Sequence, residues 1–536
     1  MPEGCSGPSS ARETRSVDCE ITPQKLIFRY FLVLTFTALV VGSVLLNVAA
    51  LRLLPTRGDT MYPETANVLP GIALLRGGHV YPDFNGYPFF PSVYGPLFYF
   101  CIAAFARIFH SDLLLVLVCG RMLSYFCFIA SGLFAFLIAR HLGCSRRYAI
   151  AAWLGIAFCA DFYRWNVTFR PDLPALMLGL AAIYLVLRAG SDRRGLLVGA
   201  GLCVGAAFLL KQSVFMAALA VMVWLVSSKR FRDAGIFVAS AGALVIPVFG
   251  FLQLREPALQ RVMALRYAPH DVASAVAIVQ HAVFRADGAL LMTLALVAIF
   301  SSARHRLLLI YFVCGWTLPL WALMQTGANA NYLLEGWSAC ALLLPCALLA
   351  VEKSWPRLQV VWRGALVLGL VAVLAGQTGL WKYFTARRMP PKFGEVALLR
   401  DLKVFGDVPY LTGNGRDPEL PEPFLAHMFA VTGHWSPAPV AARLDARVYD
   451  VIFLGEDRGF VRGWRGVTNI DPILLNHINV DYNVICTTGE FVVLTPNSRV
   501  VPFTASMATE VLGQSCVAPR SSTLSSVVKF EVFQQK

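Results

Sequence analysis

The sequence predicts an all-α polytopic membrane protein with about eleven transmembrane helices, followed by a small α/β domain outside the membrane. Mean hydropathy is +0.61 and only 15% of the residues are charged, whereas soluble domains carry about 25% charged residues. Apolar runs such as Phe31–Leu51 and Leu113–Ala139 reach the ~20 residues that span a bilayer. Lys and Arg, whose excess gives a formal net charge of +14, gather between such runs.

The basic clusters predict the topology, because Lys and Arg accumulate in the cytoplasmic loops of membrane proteins. We therefore assign the positive charge to membrane orientation and exclude nucleic-acid binding. The clusters are Arg12–Arg29, Arg140–Arg147, Arg188–Arg194, Lys229–Arg232, Arg304–Arg306 and Lys353–Arg363. The predicted spans are 28–51, 113–139, 148–163, 173–188, 195–210, 213–228, 234–252, 288–302, 307–324, 336–351 and 364–382.

This topology places the N-terminal tail 1–27 in the cytoplasm and makes 28–382 the membrane domain. The loops predicted to lie outside are 52–112, 164–172, 253–287 and 325–335. The segment Pro96–His110 is apolar but short, and counting it as a span would move every later basic cluster outside. We predict that it forms a helix at the membrane interface within the long first outer loop.

The C-terminal segment 383–536 differs in character from the rest. Strand-like runs at Tyr449–Leu454 and Glu490–Leu494 are separated by segments rich in turn-forming residues, which predicts a small α/β domain on the outer side. Cys486 and Cys516 lie in this domain, and the sequence leaves open whether they form a disulfide.

Ionisable and amide side chains occur in four groups at the predicted outer ends of the spans, where such residues are costly and often functional. The groups are Asp59 with Glu64, Arg170 with Asp172, Lys211, and Asn331 with Tyr332 and Glu335. Each group alone also has a structural interpretation: a solvated helix N-terminus at Glu64, a helix cap at Asp172, a lysine that extends to the headgroups at Lys211, or a helix-starting acid at Glu335. Together, on one side of one membrane, the four groups point to a site. A carboxylate can take a proton from a hydroxyl, and Arg and Lys can hold a phosphate.

Several segments then resemble those of one superfamily. They are PETANVLPGIALLRGGHVYPDF after the first span, Tyr94-Gly95-Pro96-Leu97, RHLGCSRR, TFRPDLPALML, FLLKQS and NANYLLE. In this order and spacing, residues 28–382 resemble the C-type (GT-C) membrane glycosyltransferases, in particular bacterial family-39-like proteins related to protein O-mannosyltransferases and lipid A aminoarabinose transferases. This chain has Pro63-Glu64 where relatives often have Asp-Glu, so Asp59 is a rival to Glu64 for the acidic role.

The resemblance implies an inverting transfer of a sugar from a polyprenyl-phosphate donor to an acceptor hydroxyl on the outer face. Glu64 or Asp59 would be the general base. Arg170 and Lys211 would hold the donor phosphate, and Asp172 would orient Arg170 or help to hold a metal. Whether a divalent metal such as Mg²⁺ or Mn²⁺ takes part stays open.

Asn331, Tyr332, Glu335 and Tyr94 would line the sugar or lipid pocket. The expected partners are the lipid-linked donor, membrane lipid and a glycan, lipid or protein acceptor, and the expected location is the bacterial inner membrane. Two other classes of function stay open: a transporter or flippase of a lipid-linked sugar, and a non-catalytic homologue of the superfamily. A transporter would place its ionisable residues near the bilayer midplane, whereas the groups here lie at span ends.

Overall fold

The computed structural model describes residues 23–519 except 61–62, 84, 91, 191–192, 257, 260–270, 302–304, 326–327, 355–367, 378–392, 421, 456–469 and 489. Within these residues the chain is mainly helical, with one four-stranded sheet near the C-terminal end. A helix, or a pair of helices, occupies each segment that was predicted to be a span. These helices are α1 (Pro23–Leu53), α4 (Leu113–His141), α5 (Arg146–Phe158) with α6 (Ala160–Trp165), α7 (Asp172–Ala189), α8 (Arg194–Leu210), α9 (Met216–Ser227), α10 (Phe231–Arg255), α12 (Ala286–Ser301), α13 (Arg306–Leu323), α14 (Leu334–Ser354) and α15 (Leu368–Gln377).

Length and composition of the described helices confirm about half of the eleven predicted membrane spans. Among the described residues, five helices are long and apolar enough to cross a bilayer: α4, α7, α10, α13 and the segment Ala330–Ala350. A sixth is counted if α11 (Val272–Phe284) and the adjoining α12, which are bent by 80° at their junction, form one span. The other apolar segments that could be assessed are shorter, among them Val40–Leu53 within α1, so the prediction of eleven spans is not established.

Close helix packing depends on small residues. Helix α8 packs along α7 and α10, and a Cβ added to Gly201 would lie 2.4 Å from the carbonyl oxygen of Phe237. Apolar burial gives little driving force for helix association inside lipid, so membrane helices depend on close van der Waals packing. Small side chains allow this close approach of the backbones. Gly95 has the same role in the first loop, because an added Cβ there would lie 2.0 Å from the carbonyl oxygen of Leu209.

Three of the basic turns lie together at one end of the helix bundle. The His141 ring lies 2.9 Å from the Leu187 carbonyl oxygen, and Arg230 donates to the carbonyl of Gly190. The opposite end carries the first loop and the C-terminal domain.

The first loop contains two helices, as predicted. Helix α2 (Glu64–Leu75) begins at Glu64, and the chain leaves it through Gly77, whose φ of +80° favours glycine. Helix α3 (Pro96–Ile108) occupies the segment that was predicted to form an interfacial helix. Its buried face includes Phe98 and Ile102, while Ile108 is 64% exposed.

The C-terminal domain is α/β, with the two predicted strands at the centre of its sheet. The strand order is β1-β2-β4-β3, in which β1 and β2 are parallel and the other pairs antiparallel. The strands are β1 (Val404–Gly406), β2 (Val451–Gly455), β3 (Tyr482–Thr487) and β4 (Phe491–Pro496). The helices are α16 (Pro409–Asn414), α17 (Pro423–Val431), α18 (Ala438–Asp445), α19 (Pro472–Asp481) and α20 (Ala505–Leu512).

This domain packs directly on the first loop. Arg57 donates to the Gly394 carbonyl at 2.8 Å, and the Leu420 N–H donates to the Pro88 carbonyl at 3.1 Å. Helix α16 packs against α2. The C-terminal domain and the first loop therefore lie at the same end of the bundle, and the domain supports the loop that carries Asp59 and Glu64.

Cys486 and Cys516, whose pairing the sequence left open, form a disulfide across a sequence separation of 30. The double variant Cys486→Ser, Cys516→Ser is expected to lose about 3–4 kcal/mol of stability, because the cross-link restricts the unfolded chain. Thermal unfolding of the purified protein measures this, with Cys101→Ser as the control. A melting temperature that does not fall, or a wild type insensitive to reductant, would contradict the prediction.

Candidate functional site

The predicted site residues lie at the end of the bundle that carries the first loop, in two adjoining parts. The first part, which we call the acid centre, contains Asp59 and Glu64. The second part, which we call the cation pocket, contains Arg170, Asp172, Lys211, Asn331, Tyr332 and Glu335, with Tyr94 at its edge.

Glu64 is fully buried and accepts five hydrogen bonds. The Nε and Nη2 atoms of Arg121 donate to its two oxygens at 2.9 and 2.7 Å. The Phe169 N–H donates at 2.6 Å, and the N–H and hydroxyl of Thr60 donate at 3.0 and 3.1 Å. The interpretation of Glu64 as a solvated helix N-terminus is therefore wrong. In this arrangement each oxygen of Glu64 already receives at least two donors.

Arg121 was missed by the sequence analysis. It is completely buried on α4 and also donates to three carbonyls of the first loop, those of Leu54, Thr56 and Gly58. All of its N–H groups therefore hold the loop that follows α1. The sequence signal was a single Arg inside the predicted span 113–139, since an ionisable residue within a span is rarely idle.

Asp59 lies beside Glu64 but is bonded differently. Its Oδ1 accepts from the Thr65 N–H at 2.7 Å and from the Thr65 hydroxyl at 2.5 Å. Both of these bonds go to one oxygen. Burial and the neighbouring Glu64 charge raise the pKa of Asp59 to about 7, because both disfavour its ionised form.

The cation pocket is centred on Asp172. Lys211 and Asn331 both donate to its Oδ1, the latter at 2.6 Å, and the Arg170 Nε lies 3.4 Å from its Oδ2. Helix α7 begins at Asp172, but Oδ1 of this carboxylate accepts from Lys211 and Asn331, and Oδ2 has no hydrogen-bond partner among the described residues, so the cap interpretation is wrong. Lys211 is only 4% exposed, so it does not extend to the headgroups as a surface lysine would.

Aromatic rings surround the two cations. The Arg170 guanidinium lies over the rings of Trp165 and Tyr94, at 4.9 and 5.6 Å from their centroids, and donates to the Tyr94 hydroxyl. The Lys211 ammonium lies 4.7 Å from the Tyr332 centroid. These contacts hold both cations in place with few carboxylates. One carboxylate shared between two cations leaves positive charge available for an anion.

Glu335 closes the other side of the pocket. It lies in the first turn of α14, but its carboxylate accepts from the N–H groups of Met216 and Ala217 at 3.4 and 3.0 Å. It thus caps the N-terminus of α9, where a negative charge is favourable. The interpretation of Glu335 as only a helix-starting acid is therefore incomplete. A small cavity is lined by Asp172, Leu176, Lys211, Ser213, Val214, Asn331, Tyr332, Leu334 and Glu335.

A second buried charge network lies nearby and was also missed. The Arg285 guanidinium contacts Asp287 through Nε and Nη2, at 2.5 and 2.9 Å, and donates to Asp161 at 3.0 Å. The Trp337 indole donates to Asp161 at 2.9 Å. The network joins the break between α5 and α6 to the bend between α11 and α12. Asp161 lies near the end of a predicted span, and an acidic residue at such a position was the sequence signal that could have pointed to this network.

Glu64 and Asp172 are both engaged by protein groups in this arrangement, which leaves neither as a free carboxylate for a divalent metal. Every oxygen of Glu64 is hydrogen-bonded, and Asp172 is already next to two cations. Within the described part of the chain, one group of acidic and histidine side chains is close enough to hold an ion: Asp445, His477 and Asp481, in the C-terminal domain.

Comparisons with known proteins agree with this architecture. The family model described as dolichyl-phosphate-mannose-protein mannosyltransferase matches residues 93–250. The crystal structure of ArnT from Cupriavidus metallidurans in the apo state is similar, with a TM-score of 0.56 at 12% identity over 85% of this chain and 97% of that one. ArnT bound to undecaprenyl phosphate has the same TM-score and identity, over 87% and 99% of the chains. No curated protein sequence matches the chain.

Proposed function

We propose that this chain, an integral membrane protein whose fold is similar to that of ArnT, is a C-type glycosyltransferase that transfers a sugar from a polyprenyl-phosphate donor to an acceptor hydroxyl. One observation carries the proposal. Two cations, Arg170 and Lys211, lie in a pocket around Asp172. The residue before Arg170, Phe169, donates its N–H to Glu64 of the acid centre, which also contains Asp59, whose pKa is raised to about 7. A phosphate leaving group and a general base are the two requirements of this transfer.

Within this proposal Asp59 is the general base and Glu64 a positioning residue. Glu64 has its acceptors filled by Arg121, Thr60 and the Phe169 N–H. Asp59 has both of its observed hydrogen bonds on Oδ1, which leaves Oδ2 as the atom to take the hydroxyl proton. Inversion follows if the hydroxyl attacks the anomeric carbon from the side opposite the phosphate.

Arg170 and Lys211 hold the donor phosphate. Arg170 offers a planar set of donors and Lys211 a compact charge, and Asp172 sets their spacing by contacting both. ArnT, whose fold this chain shares, is known with undecaprenyl phosphate bound. Asn331, Tyr332 and Glu335 line the same cavity and face the lipid or sugar portion of the donor.

Two features support an outer location for the reaction. The disulfide Cys486–Cys516 is typical of an oxidising compartment, and its domain packs on the first loop next to the acid centre. The basic turns lie at the other end of the bundle, as expected for cytoplasmic loops. The acceptor is then a glycan, lipid or protein hydroxyl outside the membrane.

The test is transfer of radiolabelled sugar from polyprenyl-phosphate donors by the purified full chain in liposomes. The matched control is Asp112→Asn, because Asp112 caps α4 at the same end of the bundle and Asn caps a helix as well as Asp does. Transfer by the wild type and the control supports the proposal. Movement of the lipid across the bilayer without any transfer would instead establish a transporter.

The rate of transfer is expected to rise with pH through about 7 and then level off. The pKa of Asp59 is raised to about 7, so below that pH the carboxyl is protonated and cannot accept the hydroxyl proton. The check is a pH profile of transfer at saturating donor. A profile that is flat between pH 5.5 and 8.5 would assign the base elsewhere.

Lys211→Met is expected to weaken binding of the donor lipid by about 10- to 100-fold, as is typical when one charge-assisted contact to a phosphate is lost. The variant also leaves Asp172 with one cation fewer, so Asp172→Asn combined with Lys211→Met is the companion variant. Binding is measured with polyprenyl phosphate that carries no sugar. Unchanged affinity in both variants would remove Lys211 from the phosphate site.

A further inference from the structure

We propose that Trp165 and Asn166 form the subsite that recognises the hydroxyl groups of the donor's sugar. The proposal rests on the proposed function and adds the residues that select the sugar. It starts from three buried polar atoms that have no hydrogen-bond partner among the described residues: the Trp165 indole nitrogen and both polar atoms of the Asn166 amide.

These atoms are deeply enclosed. Trp165 is 2% exposed and Asn166 is fully buried. An unpaired buried amide is costly, so native proteins keep such groups mainly where a ligand or ordered water will pair with them. Asn166 is unusual because its donor and its acceptor are both unpaired. A sugar hydroxyl, which is also donor and acceptor, is a suitable partner for such an amide.

The segment that carries Trp165 and Asn166 contacts both the acid centre and the cation pocket. These contacts indicate that the sugar of the donor is the part that Trp165 and Asn166 bind. Just after Asn166, the Val167 carbonyl accepts from the Thr60 hydroxyl at 3.3 Å, and the Phe169 N–H donates to Glu64 at 2.6 Å. These contacts tie the segment to the acid centre. One residue later, Arg170 lies in the cation pocket.

The segment from Trp165 to Arg170 therefore contacts the acid centre through Val167 and Phe169 and the cation pocket through Arg170. In a displacement reaction the anomeric carbon lies between the attacking hydroxyl and the departing phosphate. In the proposal the sugar ring lies against this segment, where its hydroxyl groups pair with the unpaired atoms of Trp165 and Asn166.

The chemistry of the subsite favours a neutral sugar. The unpaired donor and acceptor atoms of Trp165 and Asn166 carry no charge, and Asp172, the carboxylate beside Arg170, already contacts both Lys211 and Arg170. The Trp165 ring is held under the Arg170 guanidinium, 4.9 Å from its centroid. This contact couples sugar recognition to the group that binds the phosphate.

Two variants test the inference: Trp165→Phe, which removes only the indole donor, and Asn166→Leu, which removes both amide atoms at similar volume. The matched control is Trp435→Phe, because Trp435 is also buried with an unpaired indole nitrogen but lies in the C-terminal domain. The ligands are a polyprenyl-phosphate hexose and polyprenyl phosphate without sugar. Transfer kinetics are measured with the first and inhibition of transfer with the second.

We expect each variant to raise the KM for the sugar-bearing donor by about tenfold, the typical effect of a lost buried hydrogen bond. The inhibition constant of bare polyprenyl phosphate should stay within about twofold, since no phosphate contact is changed. Trp435→Phe should alter neither value. Asn166→Leu should be at least as stable as the wild type, because it removes an unpaired buried amide, so a raised KM in this variant cannot be attributed to unfolding.

Three results would overturn the inference. The first is an unchanged KM in both variants, which would mean that ordered water satisfies these atoms. The second is an equal loss of affinity for the bare and the sugar-bearing lipid, which would indicate a structural role. The third is an absence of transfer by the wild type, which would overturn the proposed function as well, whereas the first two leave that function standing.

Discussion

Asp59→Asn is expected to lower the rate of sugar transfer by about 10²- to 10⁴-fold, the usual contribution of a general base. The fold should be unaffected, because Asn keeps an Oδ1 that can accept both hydrogen bonds from Thr65. Binding of polyprenyl phosphate should also be unchanged, since Asp59 lies in the acid centre and not in the cation pocket. The measurements are single-turnover transfer, lipid binding and the melting temperature.

Glu64→Gln provides the contrast that separates a base from a positioning residue. Gln offers one acceptor oxygen where Arg121 donates to two, through Nε and Nη2. We therefore expect Glu64→Gln to lower both the melting temperature and the transfer rate. The residual activity of Glu64→Gln should keep the rise with pH through about 7, because Asp59 remains the base. Full stability of Glu64→Gln combined with the loss of that pH dependence would move the base to Glu64.

Arg121→Met is expected to destabilise the protein by about 3–5 kcal/mol, which is the usual result when one partner of a buried ion pair is removed. Both side chains of the pair with Glu64 have an exposed fraction of 0%. The variant leaves a buried carboxylate uncompensated and three loop carbonyls, those of Leu54, Thr56 and Gly58, without their donor. Thermal unfolding in detergent checks the change in stability.

The double variant Arg121→Met, Glu64→Leu tests the physical cause. Removing both charges takes away the cost of an unpaired buried carboxylate, so the double variant should be more stable than Arg121→Met alone. Arg140→Met is the control, because Arg140 lies at the C-terminal end of the same helix, away from the acid centre. A double variant that is less stable than Arg121→Met would show that Glu64 is stabilised without Arg121.

The acid centre also explains why the sequence could name its members but not rank them. Asp59 and Glu64 both follow the first span, and each is an acid near the membrane boundary. Their difference depends on Arg121, which is 57 positions after Glu64, and on the backbone N–H of Phe169. Both partners are far from the first loop in the sequence. The sequence therefore could not show that Glu64 is fully hydrogen-bonded whereas both observed hydrogen bonds of Asp59 go to one oxygen.

For the cation pocket, the sequence predicted most of the residues but not the contacts between them. Arg170, Lys211 and Asn331 were each named from polar residues at span ends, where their cost suggests a role. Their shared partner Asp172 was read as a helix cap on its own, since an acid before a helix often is one. Asn331 reaches it across 159 positions of sequence, and only the packing of the helices brings them together.

The features that the sequence alone determined are those that depend on residues close together in the chain. The length of apolar runs located the helices, the turn residues bounded α2 and α3, and strand-forming residues located β2 and β4. Hydrophobic length and periodicity act over a few turns of chain, so they are visible without a partner. The tertiary structure decided the pairing of Glu64 with Arg121, the joining of Cys486 to Cys516 and the number of helices long enough to cross the membrane. These depend on which distant surfaces pack together, and that choice is a property of the whole chain.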